Sequence, residues 1–426
     1  MSDFSTVPAN IKALDDEYVL GTYGRLPVEF VRASGAVLTD SEGNDYLDFL
    51  GGIGCASLGH CHPAVVAALK EQADKLWQVG NYFYVENRGE VANGLSTLLS
   101  RITDESGHDM GSAAVTWKTF FANSGAEANE GAIKLARRWG EVKLDGAFGV
   151  VSAKKSFHGR TLATLAATGQ DRFHETFRPM PAGFASVDLN DIDALRSAVE
   201  NPTPECGPVC AVMLECVQGE GGVRPASKEF LQGLRDLCDE KGILLMFDEV
   251  QVGSGRTGKL FAHQNYGVEP DTCSMAKALG SGVPIGAVCA RGEAALTLTP
   301  GTHGSTFAGG PLACGLAEAT LDTMLHEGVM DNAVKVGEYF RAKLTELSGK
   351  HPGTITEVRG MGMINGAELK DNEIGPKIVQ KCFEQKVLIN CTAGNVLRFI
   401  PPLIASEEEV DIVVAAIDKA MTELGV

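Results

Sequence analysis

Four short runs of almost wholly apolar residues constrain the fold most: TFFA (119–122), GVVSA (149–153), CAVMLECV (210–217) and GILLMFDEV (242–250). Runs this short and continuous suit strands covered by helices on both faces, as in a mostly parallel α/β sheet. The segments between them change period. After Asn123-Ser124-Gly125, residues Ala128, Ala132, Ile133, Ala136 and Trp139 recur at three and four positions, which predicts a helix. Phe230, Leu231, Leu234, Leu237 and Cys238 form a second such stripe, closed by Lys241-Gly242. In sheets of this kind ligands lie outside the carboxyl ends of the strands, so chemistry is expected there.

The two ends of the chain read differently. Residues 31–49 alternate around a glycine turn, which predicts a small antiparallel hairpin. Near the other end Ser406 stands three before Glu409, a capping box, followed by Val410, Val413, Val414, Ile417, Met421 and Leu424 at helical spacing. A smaller α+β domain drawn from both ends is expected, with an N-terminal segment over 1–65, a large domain over 66–320 and the small domain resuming over 321–426.

A chain of 426 residues can bury a large core without disulfides or a structural metal. Its charge, 37 − 55 = −18, argues against nucleic acid or an anionic membrane as partner. The first residues show no basic, apolar leader, and no apolar stretch is long enough to span a bilayer. With 11 cysteines, an odd number, free thiols in a reducing cytoplasm are expected. Gly59-His60-Cys61-His62 resembles a metal motif, but three liganding residues in a row do not converge easily on one ion, and no metal is expected. The 50 glycines fall in clusters between apolar runs, as turns and phosphate loops do.

The strand ends carry the candidate chemistry. Asn123-Ser124-Gly125-Ala126 opens a helix with small residues, which lets backbone N–H groups close on a phosphate; any tight strand-to-helix turn has the same look. Phe157 and Arg160 follow GVVSA, where an aromatic can stack on a planar ring and an arginine can fork onto a carboxylate, or an ordinary loop can simply present both. Asp248 follows the apolar GILLMF and needs a partner, either a helix N-terminus, a basic side chain or a protonated ring nitrogen. Lys277 sits among small residues at a strand end, placed to bond a carbonyl carbon. Together these are the groups that pyridoxal phosphate requires.

At this point the chain resembles the class III (subgroup II) pyridoxal phosphate-dependent aminotransferases, and closely their acetylornithine-using branch. The resemblance runs from about Thr22 through Leu403 and is carried by TYGRLPVEFV, YLDFLGGI, LGHCHPAVV, NSGAEANEGAIKLARRW, SFHGRTLATLAATG, QGEGGV, FDEVQVGSGRTGKLFAHQNYGVEPD, AKALGSGVPIGA, GTHGSTFAGGPLAC and NVLRFIPPL. It implies fold type I of the pyridoxal phosphate-dependent transferases. It also implies roles: Lys277 as the lysine that holds the cofactor's aldehyde, and Asp248 as the acid on its pyridine nitrogen. Gln251 falls near the phenolic oxygen, Val250 and Phe157 against the ring faces, and Gly125 and Ala126 at the phosphate. Thr306 resembles the threonine that reaches the neighbouring subunit's cofactor, which implies a homodimer with shared sites. Arg160 resembles the arginine that holds a distal substrate carboxylate, Tyr23 falls beside the substrate, and Glu220 with Arg398 resembles a gate that switches between substrates.

The implied reaction moves the δ-amino group of N2-acetylornithine to 2-oxoglutarate, giving N-acetylglutamate 5-semialdehyde and glutamate, a step of arginine biosynthesis. Ornithine δ-aminotransferases are the nearest rival; they typically have tyrosine at Ile53 and tryptophan at His158, and both differences favour acetylornithine. Succinylornithine, acetyl-lysine-type and 4-aminobutyrate substrates stay open. The Glu220–Arg398 pair weighs against an aminomutase, and the presence of Lys277 and Asp248 against a non-catalytic binding protein. The sequence departs from the family at Ala126, Cys216 and STFAGGP, near Thr306, without removing a group the chemistry needs.

Overall fold

The computed structural model describes residues 10–103, 109–112 and 115–426. Residues 1–9, which carry half of the N-terminal leader reading, lie outside these. A seven-stranded sheet forms the centre: β1 (Trp117–Ala122), β2 (Gly149–Ala153), β3 (Phe184–Val187), β4 (Val209–Leu214), β5 (Leu244–Asp248), β6 (Thr272–Met275) and β7 (Gly286–Arg291), in the order β1-β7-β6-β5-β4-β2-β3. Pairing is parallel from β6 through β5, β4 and β2 to β3, while β7 is antiparallel to both β6 and β1. Only β7 therefore runs backwards. The carboxyl ends of the other strands share one edge, and every residue of β2, β4 and β5 is buried.

Helices cover the sheet where the periodicity places them. In α1 (Gly125–Lys143) Ala128, Ala132, Ile133 and Ala136 are buried, and the Ser124 side chain accepts from Glu127 N at 3.2 Å to cap the first turn. In α2 (Lys228–Lys241) the whole predicted stripe is buried, Ser227 accepts from Phe230 N at 3.1 Å, and Gly242 ends the helix at φ 65°. Burial of side chains such as Leu231, Leu234 and Leu237 stabilises by roughly 1.5–3 kcal/mol each. The CAVMLECV run is not one strand. It stops at Leu214, and Val217–Gln218 pairs instead with Arg224–Pro225.

The two ends of the chain meet in a second unit. Phe30–Ser34, Val37–Asp40 and Asp45–Asp48 form a three-stranded meander rather than one hairpin. The extra turn closes because the Asp40 carboxylate accepts from Glu42 N (3.0 Å) and Asn44 N (2.8 Å). Val387–Leu388 adds to this sheet in parallel, joining segments more than 300 residues apart. Ile355–Met361, Ile364–Leu369, Val396–Phe399 and Asn390–Thr392 make a further antiparallel sheet. On α3 (Glu407–Leu424) the capping box is present, with Ser406 Oγ accepting from Glu409 N at 3.2 Å and Glu409 accepting from Ser406 N at 2.9 Å. Residue 320 falls inside the helix Pro311–His326, and Gly328 at φ 70° opens the next helix, Val329–Lys350.

Arg256 ties this unit to the central sheet. Its guanidinium, fully buried and facing no acid among the described residues, donates to Ser57 Oγ (3.0 Å), to Met363 O (3.1 Å) and to Pro401 O. Burial without a carboxylate pulls its pKa down to about 9. The histidines of the Gly59–His62 cluster turn apart: His60 Nε2 meets Asp48 at 2.7 Å and His62 Nε2 meets Glu327 at 3.3 Å. Among the described residues no helix is long and apolar enough to cross a membrane.

Candidate active site

A cavity of about 390 Å³ opens at the shared carboxyl edge of the sheet. Its wall includes Gly125, Ala126, Phe157, Arg160, Glu220, Asp248, Val250, Gln251 and Lys277, nine of the residues singled out in the sequence. They arrive from the ends of β1, β2, β4, β5 and β6, because parallel pairing delivers all these ends to one place.

Asp248 ends β5 and is 3% exposed. Its Oδ2 accepts from Asn129 Nδ2 (2.7 Å) and faces His158 Nδ1 (2.8 Å), while Oδ1 accepts from Val250 N (3.0 Å). A carboxylate offers about four lone-pair positions, so one stays available on the cavity side for a ring N–H. An ionised carboxylate only accepts, which puts the His158 proton on Nδ1. Burial opposes charge on His158, but Asp248 and then Glu215 outweigh it and raise its pKa. Glu249 points the other way, as strand alternation requires. It accepts from Ala262 N (2.8 Å) and His263 N (2.9 Å), capping a short turn. Of the two adjacent acids, Asp248 faces the cavity and Glu249 holds the fold.

Lys277 lies two residues beyond β6, half-buried, with φ 44°. The left-handed region costs a side-chain-bearing residue about 1–3 kcal/mol, a strain typical of functional positions. Desolvation lowers its ammonium pKa; Glu220 works against that, Arg398 with it, and Asp248 against it. The net effect favours the uncharged amine more than at a solvated lysine. At the start of α1 the first backbone N–H groups have no acceptor inside the helix, and the dipole favours an anion. A Cβ on Gly125 would stand 2.7 Å from Val250 Cγ1, so only glycine lets the turn close against that wall.

Glu220 and Arg398 pair at 2.5 Å, with Arg398 1% exposed. Gln251 bridges them, donating to Glu220 Oε1 (3.4 Å) and accepting from Arg398 Nη1 (3.2 Å). Desolvation pushes the Glu220 pKa up, but Arg398 overrides it and holds the carboxyl below its usual range. Arg160 is exposed at the cavity wall, its guanidinium over the rings of Phe157 and Phe173.

Two residues are not brought here. Tyr23 is 78% exposed and lies off the cavity wall. Thr306 opens on a separate hollow of about 730 Å³ with Asn81, Tyr82 and Arg88. Asn129, His158 and Glu215, which had no role assigned from the sequence, are among the other residues of the wall. Glu215 directly follows the apolar strand β4, much as Asp248 closes β5, and that signal was readable. It is buried, accepts from Phe157 N at 3.1 Å, and desolvation raises its pKa to about 8.

An anion cradle, two ring walls, an acid with one acceptor position left and a strained amine match the parts of pyridoxal phosphate one by one. The site is that of a pyridoxal phosphate-dependent enzyme of fold type I. The Aminotransferase class-III family model matches residues 20–421. The chain is 45% identical to an acetylornithine aminotransferase of Caldanaerobacter subterraneus subsp. tengcongensis, over 96% of this chain and 98% of that one. It is 47% identical to an acetylornithine aminotransferase of Methanocaldococcus jannaschii, over 96% and 98% respectively. Among solved structures, the ornithine aminotransferase of Toxoplasma gondii ME49 superposes with TM-score 0.89 at 34% identity, covering 99% of this chain and 97% of that one. The protein belongs to the class-III aminotransferases.

Proposed function

We propose that the enzyme transfers the δ-amino group of N2-acetylornithine to 2-oxoglutarate, giving N-acetylglutamate 5-semialdehyde and glutamate, as in arginine biosynthesis. The substrate reading rests on relatives at 45% and 47% identity over nearly the whole chain. The observation that carries the two-substrate reading is the Glu220–Arg398 pair, which can present a masked or a free cation to the same cavity.

Pyridoxal phosphate, when bound, supplies a ring that accepts the electron pair left when the carbon beside the amine loses its proton. The chain's own residues do the rest. Gly125 and Ala126 N–H groups would bind the phosphate, and Phe157 and Val250 would cover the ring faces against water. Asp248 stabilises positive charge at the ring nitrogen, with Asn129 and His158 fixing its orientation. Gln251, on the same wall, would hold the phenolic oxygen. Lys277 would take the proton from one carbon and return it at another, a task its lowered ammonium pKa favours. Arg160 takes the distal carboxylate of either substrate.

The active unit in this reading is a homodimer in which Thr306 reaches the partner's phosphate. Support comes from a patch of exposed aromatics, Trp77 (63%), Tyr82 (97%), Phe83 (60%), Tyr84 (103%) and Phe307 (69%), on segments tied together by Asn81 Nδ2 donating to Ser305 O (2.9 Å) and Ala308 O (3.1 Å). So many large apolar groups in one patch call for a protein cover. Within the subunit, the small domain resumes in this reading over 321–426, close to the break between two helices at Gly328. A panel of amino donors with 2-oxoglutarate tests the function. Fastest glutamate formation from N2-acetylornithine supports it, and a clear preference for ornithine or 4-aminobutyrate refutes the substrate assignment.

A further inference from the structure

Arg160 is held in an unusual way. Its guanidinium stands 4.0 Å from the ring centroid of Phe173 and 5.4 Å from that of Phe157, and the two rings meet edge to face at 6.4 Å and 85°. Among the described residues no carboxylate pairs with Arg160 and no hydrogen bond engages it, although it is exposed at the wall of the cavity. An exposed arginine normally samples many rotamers. Stacking on an aromatic face restricts it while leaving its in-plane N–H donors unused.

The ring that does this is itself fixed. Phe173 sits on the short turn Asp171–Phe173, with its N–H donating to Gln170 O at 3.0 Å. Gln170 Nε2 donates to Ser156 O (2.9 Å), beside Phe157, and the His174 ring bonds Leu165 O (2.8 Å) and Thr168 O (2.9 Å). Arg172 stacks on the same ring at 4.5 Å. The turn is thereby anchored to the loop that carries Phe157 and Arg160.

We propose that Phe173 is a positioning residue for substrate-carboxylate recognition. Its face holds the Arg160 guanidinium so that the full N–H fork is presented, already oriented, to the distal carboxylate of both substrates. This rests on the role given to Arg160 above. Phe173 touches neither the substrate nor the reacting atoms and acts through Arg160 alone.

The test uses the holoenzyme with Phe173→Leu, Phe173→Trp, Arg160→Ala and the double variant Phe173→Leu/Arg160→Ala. Binding of glutarate, a dicarboxylate without amino or keto group, is measured by calorimetry beside kcat and KM for N2-acetylornithine and for pentylamine, which has no carboxylate. Phe173→Leu is expected to weaken glutarate and raise KM for N2-acetylornithine by roughly two- to fivefold, the worth of an exposed cation–π contact. Its kcat should hold, pentylamine should be unaffected, Phe173→Trp should restore binding, and the effect should vanish on the Arg160→Ala background. A Phe173→Leu loss that persists on that background, or that falls equally on pentylamine, overturns the proposal alone. Unchanged glutarate binding in Arg160→Ala overturns it together with the role of Arg160.

Discussion

Glu220 Oε1 stands 2.5 Å from Nη1 of Arg398, and Gln251 touches both. Arg398 Nε also donates to Asn390 Oδ1 at 3.3 Å. Removing one member of a buried pair leaves a charge uncompensated at about 3–5 kcal/mol. The pairing thus stabilises the arginine, and equally makes it responsive to any other carboxylate that can take Glu220's place.

The pair also fixes a direction of pH dependence. Glu220 has its pKa below the ordinary glutamate range in the fold, so its stabilisation is present above the unfolded value and is lost as pH falls through the lowered folded value. Glu220→Gln should lower stability at neutral pH and flatten the acid limb of the profile. Thermal unfolding across the acid range checks this, and an unchanged acid limb contradicts it.

Glu215 has the opposite sign. With its pKa raised to about 8, its neutral form is favoured by folding, so stability falls as pH rises from the unfolded value through about 8. Glu215→Gln cannot ionise and should lose less stability over that span than the parent. Unfolding temperatures measured at both ends of the span decide it.

Lys277 is expected to separate binding from turnover. Lys277→Ala should retain the cofactor through the phosphate turn and Asp248, while turnover falls by about 10²–10⁴-fold with the proton carrier gone. Because φ at this position is 44°, Lys277→Gly should also be more stable than Lys277→Ala by about 1 kcal/mol. Apoenzyme unfolding and steady-state rates read the two effects independently.

Asp248→Asn should fail for a double reason. The amide cannot stabilise a positive ring nitrogen, and its NH₂ would meet donors already aimed at Oδ2 from Asn129 and His158. At about 1.36 kcal/mol per tenfold, loss of several kcal/mol lowers the rate by orders of magnitude. A loss under tenfold with cofactor still bound would make Asp248 structural only.

The sequence made the strand ends legible because burial on both faces of a parallel sheet leaves an unmistakable apolar run, and a polar residue at its end has little choice but to face the edge. That logic located Asp248 and applies equally to Glu215. It could not separate Asp248 from Glu249, since both follow the same run; which one faces the cavity depends on strand register and on the turn at Ala262. His158 and Asn129 were hidden for a different reason. Their roles come from packing against Asp248 across separations of 90 and 119 residues, which no local pattern encodes. The single-chain fold also leaves Tyr23 and Thr306 off the cavity wall, as it must if another surface completes the site.

In the proposed function one cavity serves two substrates by changing the partner of Arg398. N2-acetylornithine offers one carboxylate, far from its reacting amine, whereas glutamate offers one far and one near. In the proposed function Arg160 answers the far carboxylate, and Arg398 is needed only for the near one. Single-turnover rates of the loaded enzyme with each amino donor, measured in Glu220→Ala and Arg398→Ala, test this most directly. Glu220→Ala should favour glutamate relative to N2-acetylornithine, and Arg398→Ala should harm glutamate far more. Equal losses on both donors in both variants would contradict the gate.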